Sequence, residues 1–213
     1  MEYNYKVEVP KGLGNIFGNC IRQGLAVLTY GWTPVAFHLG ERLDDPTTLL
    51  RSKTDTTSDM LSVLASINRC TYDLSGHEQE ELVTVNYKFK GQLKTEDLNK
   101  NGVKVVSSSN DIIVDMIDKD KEVTFTLVFS YQRGILSAEE IRFKMDRKGL
   151  NSSKFSVFPT GVNTFDAINV NVNSKLNYDD VHIKAITNAI SRDDLLDDVV
   201  KTYIDCFKSI KKI

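Results

Sequence analysis

Cysteine is scarce in this sequence and poorly placed for cross-linking. Cys20, Cys70 and Cys206 are widely separated, odd in number and form no CxxC pair. That pattern argues against a disulfide framework and a cysteine-rich metal site, and it fits reduced thiols in a cytosol-type compartment. Long apolar runs are lacking too. None approaches the ~18–20 residues of a membrane span. The opening MEYNYKVEVP is too polar and charged for a signal peptide, so a soluble intracellular protein is expected. Neither sign of charge is in excess, since 27 basic against 29 acidic residues give a net charge of −2. A protein that grips nucleic acid by its own surface shows a basic stripe, and here only Lys208 to Lys212 comes near one. Histidine is limited to His38, His77 and His182, which are scattered without a second ligand at helical or hairpin spacing. No metal site is expected, and no Ser/His/Asp or Cys/His arrangement stands out. The acids Asp193, Asp194, Asp197 and Asp198 are explained by the first turn of a helix and its solvated face.

What is present is enough apolar residue, 41% of the chain, to bury a real core. Tyr3, Tyr5, Val7 and Val9 alternate with Asn4, Lys6 and Glu8, which predicts a half-buried strand. A helix follows, with Asn15 as its expected cap and Gly31 as its expected stop. Ile16, Phe17, Cys20, Ile21, Leu25 and Leu28 give it a wide apolar face. A narrow polar stripe of Asn15, Asn19, Arg22 and Gln23 runs opposite, closed by Ala26. Gly18 and Gly24 sit inside this helix, where each costs about 1 kcal/mol against alanine. They need a reason.

From Trp32 onward short β-like runs dominate: Pro34 to Leu39, Leu82 to Phe89, Val103 to Val106, Ile112 to Met116 and Val123 to Tyr131. One helix interrupts them, opened by Asp59 after a Thr57 or Ser58 cap, with Met60, Leu61, Leu64 and Ile67 facing inward. The polar stretch Arg147 to Lys154 reads as a domain boundary. Tyr178 to Ile186 reads as a strand. Ser191 with Asp194 then resembles a capping box for a closing helix. In that helix Leu195, Leu196, Val199, Val200, Tyr203, Ile204 and Phe207 recur as pairs, Asp197 and Lys201 pair at i,i+4, and Lys208, Lys211 and Lys212 suit its C-terminal end. A strand and helix at each end around a block of different character predict an α+β, two-domain chain. Residues 1–31 and 158–213 form one discontinuous α+β domain, and residues 32–157 form a β-rich domain inserted in its middle.

Gly12, Gly14 and Gly18 follow a strand and open a helix, the context of a dinucleotide-binding turn. Their spacing is GxGxxxG rather than GxGxxG, and no βαβ pattern continues beyond Glu41. A tight turn leading into a closely packed helix is the stronger reading of these residues. A small nucleotide-binding oxidoreductase using Gly12 to Gly18 stands as the alternative, and a generic two-domain interaction protein as a third.

GLGNIFGNCIRQGL resembles the signature helix of the α subunit of bacterial-type, multi-subunit RNA polymerase. Gly12, Gly14, Gly18, Asn19 and Arg22 match, while Gln23 stands where the family has a second arginine. Further segments are similar in order: TTSDMLSVLASIN (Thr56 to Asn68), GQLKTEDL (Gly91 to Leu98), VKVV with DIIVDM, QRG (Gln132 to Gly134), and NYDDVHIKAITNAISRDDLL. The segment from Gly134 to Phe155 is shorter than in the family.

The resemblance implies a dimerisation fold with an inserted domain, and a dimer that serves as the platform for two large catalytic subunits. A second copy or a related chain would meet Phe17, Gly18, Ile21, Gly24, Leu25, Leu196, Val199, Val200 and Tyr203. The large subunits would meet Asn19, Arg22, Gln23, Asp59 and Ser62. This chain would hold no catalytic residue and no cofactor, because magnesium belongs to the large subunits. Little direct DNA contact and no membrane contact are expected. The location would be the bacterial cytosol or an organelle stroma. The family continues beyond the closing helix through a linker into a DNA-binding domain, and this sequence ends at Ile213.

Overall fold

The computed structural model describes residues 2–40, 56–77, 82–107, 112–162, 167–187 and 195–209. In chain order the elements are β1 (Glu2–Pro10), α1 (Gly14–Leu28), β2 (Tyr30–Gly40), α2 (Met60–Asn68), β3 (Thr71–Asp73) and β4 (Leu82–Lys90). There follow β5 (Gln92–Lys94), β6 (Lys104–Ser107), β7 (Ile112–Asp115), β8 (Glu122–Arg133), β9 (Ile135–Leu136) and α3 (Ala138–Arg147). The last are β10 (Ser156–Val157), β11 (Thr160–Gly161), β12 (Ala167–Ser174), β13 (Tyr178–Ile186) and α4 (Leu195–Ser209). The fold is mixed α and β, with more strand than helix. Two compact units make it up: Met1–Gly31 with Val162–Ile213, and Trp32–Gly161.

In the unit built from both ends, three antiparallel strands pair in the order β1-β13-β12. The alternation along β1 appears directly in its burial, with Tyr3, Tyr5 and Val7 half-buried, Val9 buried and Glu2, Asn4, Lys6 and Glu8 exposed. These inward residues join Val181, Ile183 and Ala185 of β13 and Ile168, Val170 and Val172 of β12 in one apolar layer. Helix α1 packs on that layer through Ile21 and Leu25, and α4 adds Val199. On the opposite face Asp180 takes Lys6 Nζ and His182 Nε2, each at 3.2 Å.

The second unit contains a six-stranded sheet whose main path is β4-β8-β2-β3-β6, with β10 also pairing β2. Its interior strand β8, between β4 and β2, is buried on both faces. Phe125, Leu127 and Phe129 meet Met60, Val63 and Ile67 of α2, while Val128 packs with Ile141 and Met145 of α3.

Several local expectations need correction. Helix α1 begins at Gly14 without an Asn15 cap. It ends at Leu28, because Thr29 is already extended and Gly31 belongs to β2. In α2 the cap is Asp59 itself, which accepts from the Ser62 N–H at 2.7 Å. Val63 rather than Leu61 faces inward, since Leu61 is 58% exposed. Residues Arg147 to Lys154 lie within the second unit. They close α3, a helix started by a Ser137–Glu140 capping box. The readings placed on Glu41, Ser191, Asp193, Asp194, Lys211 and Lys212 fall outside the described residues.

Candidate functional site

The turn Gly12–Gly14 and the start of α1 are held by one carboxylate. Asp179 Oδ2 accepts from the N–H of Gly12 at 2.8 Å and of Gly14 at 3.0 Å. Its Oδ1 accepts from Ser174 Oγ at 2.8 Å. Hydrogen bonds from Gly14 first, then Ser174 and Gly12, hold this carboxyl below the usual carboxylate range, with Lys11 adding to the effect. The chain therefore fills its own helix N-terminus with a negative charge, where a bound phosphate would otherwise sit. The next strand, β2, pairs in a different sheet from β1. Both facts run against the dinucleotide reading of Gly12 to Gly18.

The two glycines inside α1 are explained by close approach within the chain. A β-carbon on Gly18 would overlap Val170 Cγ1 of β12. One on Gly24 would overlap Val199 Cγ1 of α4 and come within 2.9 Å of Tyr203 Cε2. Tyr203 lies over Gly24 and donates its hydroxyl to the Cys20 carbonyl at 2.8 Å. Burial, together with the neighbouring thiols, pushes that hydroxyl's pKa up to about 12, so Tyr203 acts as a neutral donor at physiological pH.

This packing sorts the residues expected at a dimer interface. Ile21, Leu25 and Val199 are buried in their own chain, and Gly18 and Gly24 are covered by β12 and α4. The closeness that Gly18 and Gly24 permit is, in this chain, to its own β12 and α4. Phe17, Leu196 and Tyr203 are half-buried, and Val200 is exposed. Val200, Ile204 and Phe207 follow at i, i+4 and i+7, one line along α4, and are 38%, 45% and 67% exposed. Helix α1 exposes Ile16 and Val27 on a line with Gln23.

The polar residues are accessible. Asn19, Arg22 and Gln23 are all exposed on α1, beside exposed Asn15 and Ala26. Asp59 and Ser62, in the second unit, are exposed but engaged with each other, Ser62 Oγ donating to Asp59 Oδ2 at 2.9 Å. His38 is buried with Nδ1 2.9 Å from the Lys154 carbonyl, and His182 is exposed beside Asp180. Among the described residues no three His, Cys, Asp or Glu side chains converge to hold a metal ion. What the unit offers chemically is apolar area on α4, a hydrogen-bonding stripe on α1 and the edges of its sheet.

No protein-family model matches the sequence. Among curated proteins, 131 residues (62% of this chain) are 25% identical to a protein of Campylobacter jejuni subsp. jejuni serotype O:23/36. A second match, to Campylobacter jejuni subsp. doylei, is 25% identical over 144 residues, 68% of this chain. Both are DNA-directed RNA polymerase subunit alpha. This chain is similar to that subunit. It spans 37% and 40% of the length of these two relatives. The similarity points to an alpha-like relationship. Among the described residues no helix is long and apolar enough to cross a membrane.

Proposed function

We propose that the chain is a non-catalytic alpha-type subunit of a multi-subunit DNA-directed RNA polymerase, a nucleotidyltransferase complex. It pairs with a second copy or a related chain and forms a platform for two large catalytic subunits. The similarity to RNA polymerase subunit alpha over 62–68% of the chain carries this reading. The exposed line Val200, Ile204 and Phe207 supplies an apolar face for the second alpha-type chain, with Phe17, Leu196 and Tyr203 at its border. The stripe Asn19, Arg22 and Gln23 supplies donors and acceptors for a large subunit, together with Asp59 and Ser62 at the start of α2. Nucleotide addition and its magnesium belong to the large subunits in this account. The working compartment is the one that holds the polymerase, a bacterial cytosol or an organelle stroma.

Affinity purification of the tagged chain from its native source tests the proposal. Recovery of two large polypeptides with template-dependent RNA synthesis is the expected result. Recovery of the chain without them would overturn it, and a tightly retained dinucleotide would favour an oxidoreductase instead.

A further inference from the structure

The three-stranded sheet has two edges, and they differ in kind. Along β1 stand Glu2, Lys6 and Glu8, with Pro10 at its end. Charge and proline of this sort discourage another strand from pairing. The other edge, β12, reads AINVNVNS, eight residues with neither charge nor proline. Among the described residues β13 is the only strand that pairs with it.

The register shows which backbone groups face that open edge. Ser174 lies opposite Asp179 and Ala167 opposite Ile186, and at the turn the Lys175 N–H donates to the Tyr178 carbonyl at 2.8 Å. In an antiparallel pair, bonded and non-bonded positions alternate. Asn173, Asn171 and Asn169 therefore exchange bonds with β13, whereas the N–H and C=O of Val172, Val170 and Ile168 point outward. The side chains of these three are half-buried on the α1 side, and the three asparagines are exposed on the other. Among the described residues the edge thus offers a row of donors and acceptors that no strand takes up, between an apolar row and an amide row.

We propose that β12 accepts an added strand from one of the large polypeptides of the assembly. The segment that fits is extended and uncharged. It places apolar side chains in line with Ile168, Val170 and Val172, and amide or hydroxyl side chains in line with Asn169, Asn171 and Asn173. The inference rests on the assembly reading and adds to it a second contact, made by backbone rather than by the α1 stripe.

Residue-resolved hydrogen exchange on the full chain, alone and within the purified assembly, tests it. The amides of Ile168, Val170 and Val172 exchange quickly in the isolated chain and slow by at least about tenfold in the assembly. Those of Asn169, Asn171 and Asn173 are protected in both. This alternation is specific to strand addition, because a partner resting on side chains would not select every second amide. Ile168→Pro removes one outward donor while leaving the β13 ladder intact. It lowers recovery of the large polypeptides relative to Ile168→Ala, which controls for the lost side chain. Equally fast exchange of the three outward amides in an assembly that retains its large polypeptides overturns the inference and leaves the assembly reading standing. Protection of those amides in the isolated chain also overturns it, since the chain or a second copy would then already cover the edge. If no large polypeptide is recovered, both readings fall together.

Discussion

Replacing Gly24 with alanine sets two effects of known sign against each other. Removing a glycine from a helix interior gains about 1 kcal/mol. The new β-carbon, however, would overlap Val199 Cγ1 and meet Tyr203 Cε2 at 2.9 Å and its hydroxyl at 3.0 Å. Val199 is fully buried and Tyr203 is tied to the Cys20 carbonyl, so α4 must shift. Overpacking of this kind costs about 1–3 kcal/mol, and the net change runs from roughly zero to about 2 kcal/mol destabilising. In a folding unit of this size each kcal/mol moves Tm by about 4–8 °C. Asn19→Ala, on the exposed side of the same helix, is the control and gains about 0.5 kcal/mol. Val199→Ala alone costs about 2 kcal/mol in lost burial and cavity. In the double variant the alanine methyl occupies part of that cavity, giving a favourable coupling of about 0.5–3 kcal/mol. Thermal or urea melts of the four proteins measure the cycle. A Gly24→Ala variant as stabilised as Asn19→Ala, or strict additivity in the double variant, would refute close α1–α4 approach as the reason for this glycine.

Three further outcomes follow from the same geometry. The Asp179 carboxyl titrates below its unfolded value, so its contribution is fully present above the unfolded carboxylate range of about pH 4 and is lost as pH falls through the folded pKa; Asp179→Asn flattens the decline of Tm on acidification below about pH 4, and an unchanged acid profile would contradict the clamp. Phe207→Glu and Leu196→Glu each convert a sedimenting dimer to monomer or aggregate, with Phe207→Glu leaving the unit's own core intact because that side chain is 67% exposed; a stable dimer in the Phe207 variant would exclude α4 as the pairing face. Arg22→Ala leaves the dimer unchanged and weakens recovery of the large subunits, through loss of a charge-assisted contact of about 1.5–3 kcal/mol, and undiminished reconstitution would mean that the α1 stripe is merely solvated.

The strands with strong period-two or continuous apolar patterns were legible from sequence, as β1, β4, β8 and β13 show. Strand β12 has the same period in Ile168, Val170 and Val172, but asparagine at every second position is a poor strand former and masked it. Its pairing with β13 overrides that local preference. Helix α3 carried a readable signal in Ser137 and Glu140 with Ile141 and Met145 four apart, obscured by the charged run around them. The cap on α1 was not readable. Its carboxylate, Asp179, comes from a strand far along the chain, so only the tertiary fold brings it to Gly12 and Gly14. For the candidate site, the exposed stripe Asn19, Arg22 and Gln23 could be read from helical period alone. Which of the apolar residues on α1 and α4 remain available could not, because Gly24 lets Val199 and Tyr203 turn inward while Val200, Ile204 and Phe207 stay outside.

In the proposed polymerase this chain is one of two alpha-type chains beneath a pair of large subunits. Native mass spectrometry of the assembly purified through this chain measures that stoichiometry directly. Two alpha-type chains for each pair of large polypeptides are the expected result, with a subcomplex of two alpha-type chains released on partial dissociation. A monomer of this chain, or an assembly in which it occurs once with no related chain beside it, would contradict it.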